Sequence, residues 1–427
     1  MPALLPRDTR AALPDPEKQC TSRSLLLDRF ADPADKERSI QAAIRKSAHS
    51  AKIGSWKRLL LAGLRIPPTD LIFATLKARL MVNMSGGVLE NAGLCLDRLS
   101  GLPTIPGSAV KGCARKTAIR QLAETTEIKA KSAILAGIAT VFGWTEVDWS
   151  DDVSESNTPV SDFCFACGSV WDEVRTMTRR QLFSARFPDR PLDPKWWDAH
   201  LASVAGAVDF FPAFPWSAPA QDLEIDVLTC HHPRYYASRD PRAEAADIED
   251  PVPVMFPTVA PGHVFVFALR SSDASLANQA RSWLSVGLAE YGLGSKTSAG
   301  YGWFETGGPV QKANEAEAST WLEAEHQREA DAAASADLDR QLASHDPEVR
   351  HAFRELSVLD PTRFAEAVLA AESWTDGARK RALLLCFSVV PEKGKTLVSW
   401  RKSEKPNNAK RVRVLQALAS ELGLSLP

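Results

Sequence analysis

Residues 292–304 have the sequence GLGSKTSAGYGWF, in which four glycines and three small hydroxyl residues surround Lys296. Downstream, the aromatic residues Tyr301, Trp303 and Phe304 indicate a strand. Upstream, apolar residues recur at the spacing of one helical face: Leu276, Ala280, Trp283, Leu284, Leu288 and Tyr291. We therefore predict a tight glycine-rich turn from a helix into a strand. The N–H groups of such a turn, beside a lysine, suit an anion.

A mononucleotide phosphate loop is the first alternative for this segment. That motif requires a glycine directly before its lysine, but Ser295 occupies the position before Lys296. It also connects a strand to a helix, which is the reverse of the order predicted here. Both differences argue against an ATPase. A glycine-rich turn that binds no ligand stays open as the second alternative.

A second glycine-containing segment lies at residues 103–112, with the sequence PTIPGSAVKG. Ser108 is the predicted N-cap of a helix, because small and apolar residues at helical spacing follow it. Lys111 and Arg115 are four residues apart and therefore share one face of that helix. With the helix dipole and the free N–H groups of the first turn, they suit a phosphate. Ordinary surface charge beside a tight turn is the alternative.

Taken in order along the chain, these two segments resemble hallmarks of the repeat-associated mysterious protein (RAMP) superfamily of CRISPR effector subunits, most closely the sixth-subunit family of the type III-B Cmr complex. The resemblance covers roughly residues 21–310. The other segments that carry it are 63–83, 90–101, 141–143, 206–213, 226–236, 251–254 and 263–270.

The resemblance implies an α+β fold with a ferredoxin-like (RRM-like) core and insertions. The sequence itself suggests a strand at 264–270, a helix at 276–290 and a strand at 300–304, as in one half of that fold. RNA-recognition modules of this topology bind single strands on an exposed sheet face. Another strand is predicted at 74–82, where Lys77 and Arg79 alternate with apolar residues.

Three regions are predicted along the chain. Residues 1–70 are a lead with short helices, and residues 71–310 form the RAMP domain, with insertions at about 145–205 and 226–253. Residues 311–427 form an all-helical extension, with helices predicted at 313–343, 347–356, 361–371, 376–387 and 410–422. The second insertion is the predicted thumb hairpin. A basic run in the extension is either an RNA contact or a solvated face, and it contains Lys405, Lys410, Arg411 and Arg413.

The resemblance further implies a non-catalytic RNA-binding subunit in antiviral defence. It would hold guide RNA (crRNA) and the guide–target duplex near the 3′ end of the guide, beside other RAMP subunits. We expect the two glycine segments to form one cationic cradle for the RNA. The predicted RNA-binding residues are Lys111, Arg115, Lys116, Gly294, Ser295, Lys296, Thr297, Ser298, Arg234, Tyr235 and Tyr236.

Composition is compatible with such a subunit. The chain has 427 residues, 51 Lys+Arg against 53 Asp+Glu, and a formal net charge of −2. A nucleic-acid-binding protein that acts alone is usually basic overall. The nearly equal numbers of basic and acidic residues therefore favour a subunit of a complex that has a local basic face. No apolar run is long enough for a membrane span, and seven cysteines without a secreted spacing pattern indicate the cytoplasm.

Two constellations carry alternative chemistry. Cys164 and Cys167 form one of the two C-x-x-C pairs that a structural zinc site needs, but no second pair follows in the sequence. The alternative is that both are buried core residues. We therefore expect neither a metal nor a cofactor. In the alternative function, a metal-independent endoribonuclease that processes precursor guide RNA, His232 is the candidate general base. Asp226 is the candidate metal ligand. Tyr235 and Tyr236 are suited to stacking on bases. A scaffold that contacts only protein is the remaining alternative.

Overall fold

The computed structural model describes residues 5–48, 52–154, 158–190, 197, 200–240, 242–245 and 250–426. The chain divides into two compact units, Met1–Leu322 and Glu323–Pro427. The sequence places the change to purely helical character at 311, whereas the units divide after Leu322. Part of the predicted thumb insertion, residues 241 and 246–249, lies outside the described residues.

Helices of the first unit surround a small set of strands. The helices are α1 (Arg7–Ala12), α2 (Pro16–Gln19), α3 (Arg23–Asp28), α4 (Lys36–Ile44), α5 (Ile53–Arg58), α6 (Gly107–Glu124), α7 (Ile128–Phe142), α8 (Asp162–Cys167), α9 (Trp171–Arg186), α10 (Pro233–Ala237) and α11 (Ala274–Val286). The strands are β1 (Ile72–Leu76), β2 (Gly143–Trp144), β3 (Val204–Ala205), β4 (Asp209–Phe210), β5 (Phe214–Ser217), β6 (Leu223–Cys230), β7 (Val252–Val259), β8 (Val264–Phe267), β9 (Leu269–Arg270) and β10 (Phe304–Thr306).

The central sheet has four antiparallel strands in the order β10-β1-β8-β5. Along the chain, α6 and α7 connect β1 to β5, and α11 connects β8 to β10. If these four strands are numbered in chain order, their order in the sheet is 4-1-3-2. Each helical connection therefore skips one strand position, as in a split β-α-β unit.

Both faces of this sheet are covered by apolar side chains. One face of β1 and β8 packs into the main core of the unit, to which it contributes Ile72, Ala74, Leu76, Phe265 and Phe267. Phe73 and Val266 point to the other face, where they join a second cluster with Leu60, Leu61, Trp216, Ala268 and Ala318. The exposed sheet face expected for a single-strand RNA module is thus absent from the described central sheet.

The second unit is helical and has its own core. It begins within α12 (Gly308–Leu342) and continues with α13 (Pro347–Ser357), α14 (Pro361–Ala370), α15 (Gly377–Val389), α16 (Pro391–Arg401) and α17 (Pro406–Glu421). Phe353, Phe364, Leu383 and Leu415 are among its fully buried side chains. A mixed α/β chain with a helical C-terminal region is therefore confirmed, although the helix α16 was not predicted.

None of the described helices is both long enough and apolar enough to cross a bilayer.

Candidate functional site

The glycine-rich segment folds back on itself, and its backbone requires glycine at particular positions. A π-helical turn, Gly287–Tyr291, ends α11, and a 3-10 turn, Thr297–Ala299, precedes β10. Gly302 has φ 69°, and a Cβ there would lie 1.9 Å from the carbonyl oxygen of Leu293. Gly294 has φ 98°, and a Cβ there would lie 2.5 Å from the Met81 carbonyl oxygen. The predicted tight turn is thus present, and it packs against residues 79–82.

Lys296 lies at the centre of this turn in the left-handed region, with φ 60°. A non-glycine residue there stores about 1–2 kcal/mol of strain, so surrounding contacts must hold it in place. The Ser295 N–H donates to Met81 O at 2.7 Å, and the Tyr301 N–H donates to Lys296 O at 3.3 Å. By contrast, the N–H groups of Gly294 and Lys296 donate to no backbone acceptor in the described part of the chain. These two backbone donors therefore have no backbone partner among the described residues, in a turn where Gly294 is exposed and Lys296 is half-buried.

Four charged or phenolic side chains clamp the turn to the stem of the β6–β7 hairpin. Arg79 donates to Glu224 Oε2 at 2.9 Å and to Asp226 Oδ2 at 3.4 Å. The Tyr301 hydroxyl donates to the same Asp226 oxygen. Lys296 Nζ lies 5.3 Å from the centroid of the Phe256 ring, on the strand paired with β6. We call the residues Arg79, Glu224, Asp226 and Tyr301 the loop clamp.

The clamp shifts the ionisation of its members. Partial burial tends to raise the pKa of Asp226, but the Tyr301 hydroxyl, the Val227 amide and Arg79 outweigh it, so this pKa lies below its ordinary value of 3.8. Burial, together with the hydrogen bond to Asp226, raises the pKa of Tyr301 to about 12. Asp226 is therefore an ionised acceptor at neutral pH and holds the Tyr301 proton in place.

Asp226→Asn is expected to lower the melting temperature at neutral pH, because the neutral amide binds Arg79 and Tyr301 more weakly than a carboxylate does. A carboxyl whose pKa is lowered by folding stabilises the fold above its unfolded pKa and loses that contribution as pH falls through the folded pKa. The melting temperatures of wild type and variant should therefore converge as pH falls below about 3.8. A gap of the same size at pH 7 and pH 3 would contradict the ionised clamp. Introducing Tyr301→Phe into the wild type and into Asp226→Asn completes a double-mutant cycle, which measures the coupling energy between the two side chains.

The second predicted motif forms α6, but its start differs from the prediction. Pro106 is the N-cap, with φ −58° and ψ 144°, and no side chain caps the helix. The prediction that Ser108 is the N-cap is therefore wrong. The rigid proline already provides the extended residue before the helix, so Gly107 begins it and Ser108 falls inside the first turn.

Lys111 and Arg115 line one groove, as their spacing predicts, but both have protein partners there. The groove has a volume of about 720 Å³ and is lined by residues of 107–115, 142–148 and 203–210. Lys111 Nζ donates to Phe142 O, at the end of α7, at 2.7 Å. Arg115 forms ion pairs with Asp148, at 2.8 Å, and with Asp162. Its charge is therefore compensated by two carboxylates, whereas Lys116 on the same helix is exposed.

The two glycine segments are neighbours, yet the structure gives their lysines different surroundings. Cys113 of α6 lies 3.9 Å from the carbonyl oxygen of Gly292. Lys111 is two residues away, which is about 200° around a helix, so it faces the groove on another side of α6. Lys296 lies instead beside Phe256 and the loop clamp. The single cradle expected from the sequence is thus divided between a groove and a turn.

The β6–β7 hairpin carries the other predicted contact residues. Its strands pair from Leu223 with Val259 to Cys230 with Val252. Tyr235 and Tyr236 are 41% and 73% exposed, and their rings lie edge to face, 5.3 Å apart. Arg234 is exposed in the same short helix α10, which His232 directly precedes. Two exposed aromatic rings and an arginine in the segment that connects the two strands suit contact with unpaired bases.

Cys164 and Cys167 both lie on α8 and are buried in the main core. Burial raises the pKa of both thiols, and that of Cys167 to about 11. Among the described residues, no group of three or more His, Cys, Asp or Glu side chains has an arrangement that could hold a metal ion. Both side chains contribute to the packing of the main core.

Sequence reasoning missed most of the loop clamp. Glu224 and Asp226 are two residues apart in a strand, so both side chains lie on the same face. This spacing could have indicated a pair of carboxylates there. Their partner Arg79 is more than a hundred residues away, and Lys77 likewise pairs with Glu305 at 2.8 Å. Strand β1 ends at Leu76, and only an isolated bridge from Leu80 to Val259 continues it. The strand predicted at 74–82 is thus shorter, and its cations are ion-paired.

Comparison with known proteins gives one sequence relative. A CRISPR system Cmr subunit, Cmr6 from Pyrococcus furiosus, is 28% identical over 231 residues, which is 53% of this chain and 64% of the relative. The chain thus spans less than two thirds of that relative's length. No protein-family model matches the chain. The chain is homologous to Cmr6, which confirms the resemblance predicted from the motifs.

Solved structures give weaker likenesses. A type III-B Cmr-beta complex bound to cognate target RNA contains a chain of 18% identity and TM-score 0.39, covering 64% of this chain and 72% of that one. The crystal structure of Cmr6 from Pyrococcus furiosus has 24% identity and TM-score 0.28, covering 55% and 96%. Both TM-scores are low, so the sequence match alone supports the assignment.

Proposed function

We propose that this chain, a homologue of Cmr6, is a non-catalytic RNA-binding subunit of a type III-B CRISPR effector complex that acts in antiviral defence. It holds guide RNA and the guide–target duplex near the 3′ end of the guide, beside other RAMP subunits. Guide pairing supplies the sequence recognition, so the protein contacts need only read the phosphate backbone.

A ferredoxin-like core within residues 71–310 is part of this proposal. It is supported by the 4-1-3-2 strand order and by the two helical connections on one side of the central sheet. Since both sheet faces are covered, we assign RNA contact to the loops and to the β6–β7 hairpin, which would act as the thumb. The exposed Tyr235 and Tyr236 on this hairpin support that assignment.

The observation that carries the proposal is the turn at Lys296. The turn combines a strained lysine with two backbone N–H groups that lack a backbone partner, and the loop clamp holds its Tyr301 against the hairpin. These features support a preorganised site for a phosphate. Lys116 adds an exposed cation on α6. Lys111 and Arg115 remain part of the proposed RNA-binding surface. Their contribution to RNA binding is smaller, because Lys111 donates to a backbone carbonyl and Arg115 is ion-paired with two carboxylates.

Lys296→Ala and Lys116→Ala are each expected to weaken binding of the full chain to guide RNA and to flatten its salt dependence. Loss of one phosphate contact lowers the slope of log K against log salt by about 0.7 for a single strand. Filter binding over a salt series measures this slope. Lys18→Ala is the matched control, because Lys18 is 85% exposed and pairs with Asp15. Unchanged slopes for both site variants would overturn the proposed contact.

The non-catalytic part of the proposal has its own test. The purified chain is incubated with repeat-containing RNA in the presence of a chelator, and the products are separated on a gel. We expect no cleavage, because the proposed contacts hold the phosphate backbone and assign no general base to the RNA. Cleavage that is lost in His232→Ala would overturn the non-catalytic role and favour a processing endoribonuclease.

A further inference from the structure

The last two helices of the second unit form a hairpin with one inward and one outward face. The inward face of α16 carries Leu397 and Trp400, and that of α17 carries Leu415 and Leu418, all of them buried. Helical spacing puts Lys395 and Lys402 on the side of α16 opposite Leu397 and Trp400. By the same argument Lys410 and Arg413 lie on the outer side of α17. All four are exposed.

Positive charge is concentrated on this hairpin. Residues 395–413 contain seven Lys or Arg and one carboxylate, Glu404, although the whole chain has a net charge of −2. Such segregation produces a local positive potential that an overall acidic chain otherwise lacks.

Most of these cations have no compensating partner. Among the described residues, no carboxylate forms an ion pair with the exposed side chains of Lys395, Arg401, Lys402, Lys405, Lys410 or Arg413. Other exposed arginines of the same unit are paired: Arg340 with Asp337 at 3.3 Å, Arg354 with Asp339 at 3.1 Å and Arg363 with Asp360 at 3.6 Å. Arg411 is the exception within the run, because it turns inward, donates to Ala365 O and lies over Trp400. We call the six exposed cations the C-terminal basic face.

The composition of this face favours a nucleic acid over an acidic protein. Four of its six cations are lysines, a residue type that is depleted in protein–protein interfaces. The only large apolar side chain exposed on the described hairpin is Val398, at 48%. A stable protein interface needs buried aromatic or apolar anchors, whereas a phosphate backbone needs only cations.

We propose that the C-terminal basic face binds the phosphate backbone of a nucleic acid, as a second contact surface beyond the Lys296 turn. The face lies outside the roughly 290 residues that carry the family resemblance, and its binding does not depend on the function proposed above. Contacts there are independent of sequence, because only side-chain cations are presented.

The test compares two triple variants of the full chain that change its charge equally. Lys395→Gln/Lys402→Gln/Lys410→Gln removes three unpaired cations of the face. Arg340→Gln/Arg354→Gln/Arg363→Gln removes three paired cations of the same unit and serves as control. Each is titrated with mixed-sequence single-stranded RNA and with duplex DNA over a salt series.

The lysine triple variant is expected to lower the salt slope by about 2 with the single strand, at about 0.7 per contact. The arginine triple variant should leave it nearly unchanged. Equal slopes for the two variants with both nucleic acids would overturn the proposal. The proposal would also be overturned if the lysine triple variant bound both nucleic acids normally but no longer bound a neighbouring subunit of the complex. That result would assign the face to an acidic protein. If the three lysine substitutions lower the salt slope equally in a Lys296→Ala background, the basic face acts independently of the turn. Unchanged melting temperatures of the variants exclude misfolding.

Discussion

Asp222→Ala is expected to destabilise the first unit by about 3–5 kcal/mol, because it leaves a buried guanidinium without its counter-ion. The Arg23 side chain is 1% exposed. It donates to Asp222 Oδ1 at 2.9 Å, to Asp222 Oδ2, and to Gly101 O at 2.6 Å. These contacts connect α3, the loop before residues 103–112 and the start of β6, so their loss affects elements that are far apart in sequence.

Urea unfolding followed by tryptophan fluorescence measures this loss. The matched control is Asp15→Ala, which breaks the exposed pair with Lys18 together with the N-cap of the short helix α2 and should cost far less. If Asp222→Ala and Asp15→Ala lowered the free energy of unfolding equally, the buried pair would not be the connection inferred here. Arg23→Met combined with Asp222→Leu should recover much of the loss, because the double variant leaves no isolated charge.

Gly302→Ala is expected to disrupt the turn at Lys296 and to remove the contribution to RNA binding that we propose for it. The added Cβ would lie 1.9 Å from Leu293 O, and that carbonyl belongs to a backbone that cannot retreat easily. The Leu293 N–H donates to Gly302 O at 2.8 Å, so a hydrogen bond holds the two segments close together. The clash adds to the strain of a left-handed alanine, which is itself about 1–2 kcal/mol.

Gly300→Ala separates steric overlap from backbone strain. Gly300 also has a positive φ, 90°, but no atom lies within 4 Å of a Cβ built there. Gly300→Ala should therefore cost only the left-handed strain, while Gly302→Ala costs considerably more in the free energy of unfolding. Denaturation and the salt slope for RNA are measured on both. Equal effects of the two substitutions would show that the close approach at Leu293 does not matter.

Local sequence signals were sufficient for several elements. The apolar spacing that ends at Tyr291 predicted α11 and its continuation, and four glycines predicted a turn that is indeed built on positive φ at Gly292, Gly294, Gly300 and Gly302. In the second unit, caps such as Asp360 and Asp376 mark helix starts that agree with the predicted ones within a residue or two. These features depend only on neighbours in the chain, because φ preference, capping and helical periodicity act over a few residues.

Helix α16 shows where local signals were insufficient. Gly394, Thr396 and Val398 lower its intrinsic helix propensity, so no helix was predicted there. Leu397 and Trp400 are buried, and Lys393 lies 4.0 Å from the centroid of the Phe364 ring while donating to Leu359 O at 2.6 Å. Packing in the core of the second unit decides this helix, and some of the contacts involved are remote in sequence: Lys393 and Leu359 are 34 residues apart.

The candidate site divides in the same way. The sequence alone determined that a lysine stands in a glycine turn and that two further cations share a face of α6. Only the tertiary structure decided that Arg115 is neutralised by Asp148 and Asp162, and that both faces of the central sheet are covered. It also decided that Asp226 holds Tyr301, in the same turn as Lys296. The physical reason is that charge compensation and desolvation depend on which distant side chains come within a few ångströms, and a linear pattern does not encode that proximity.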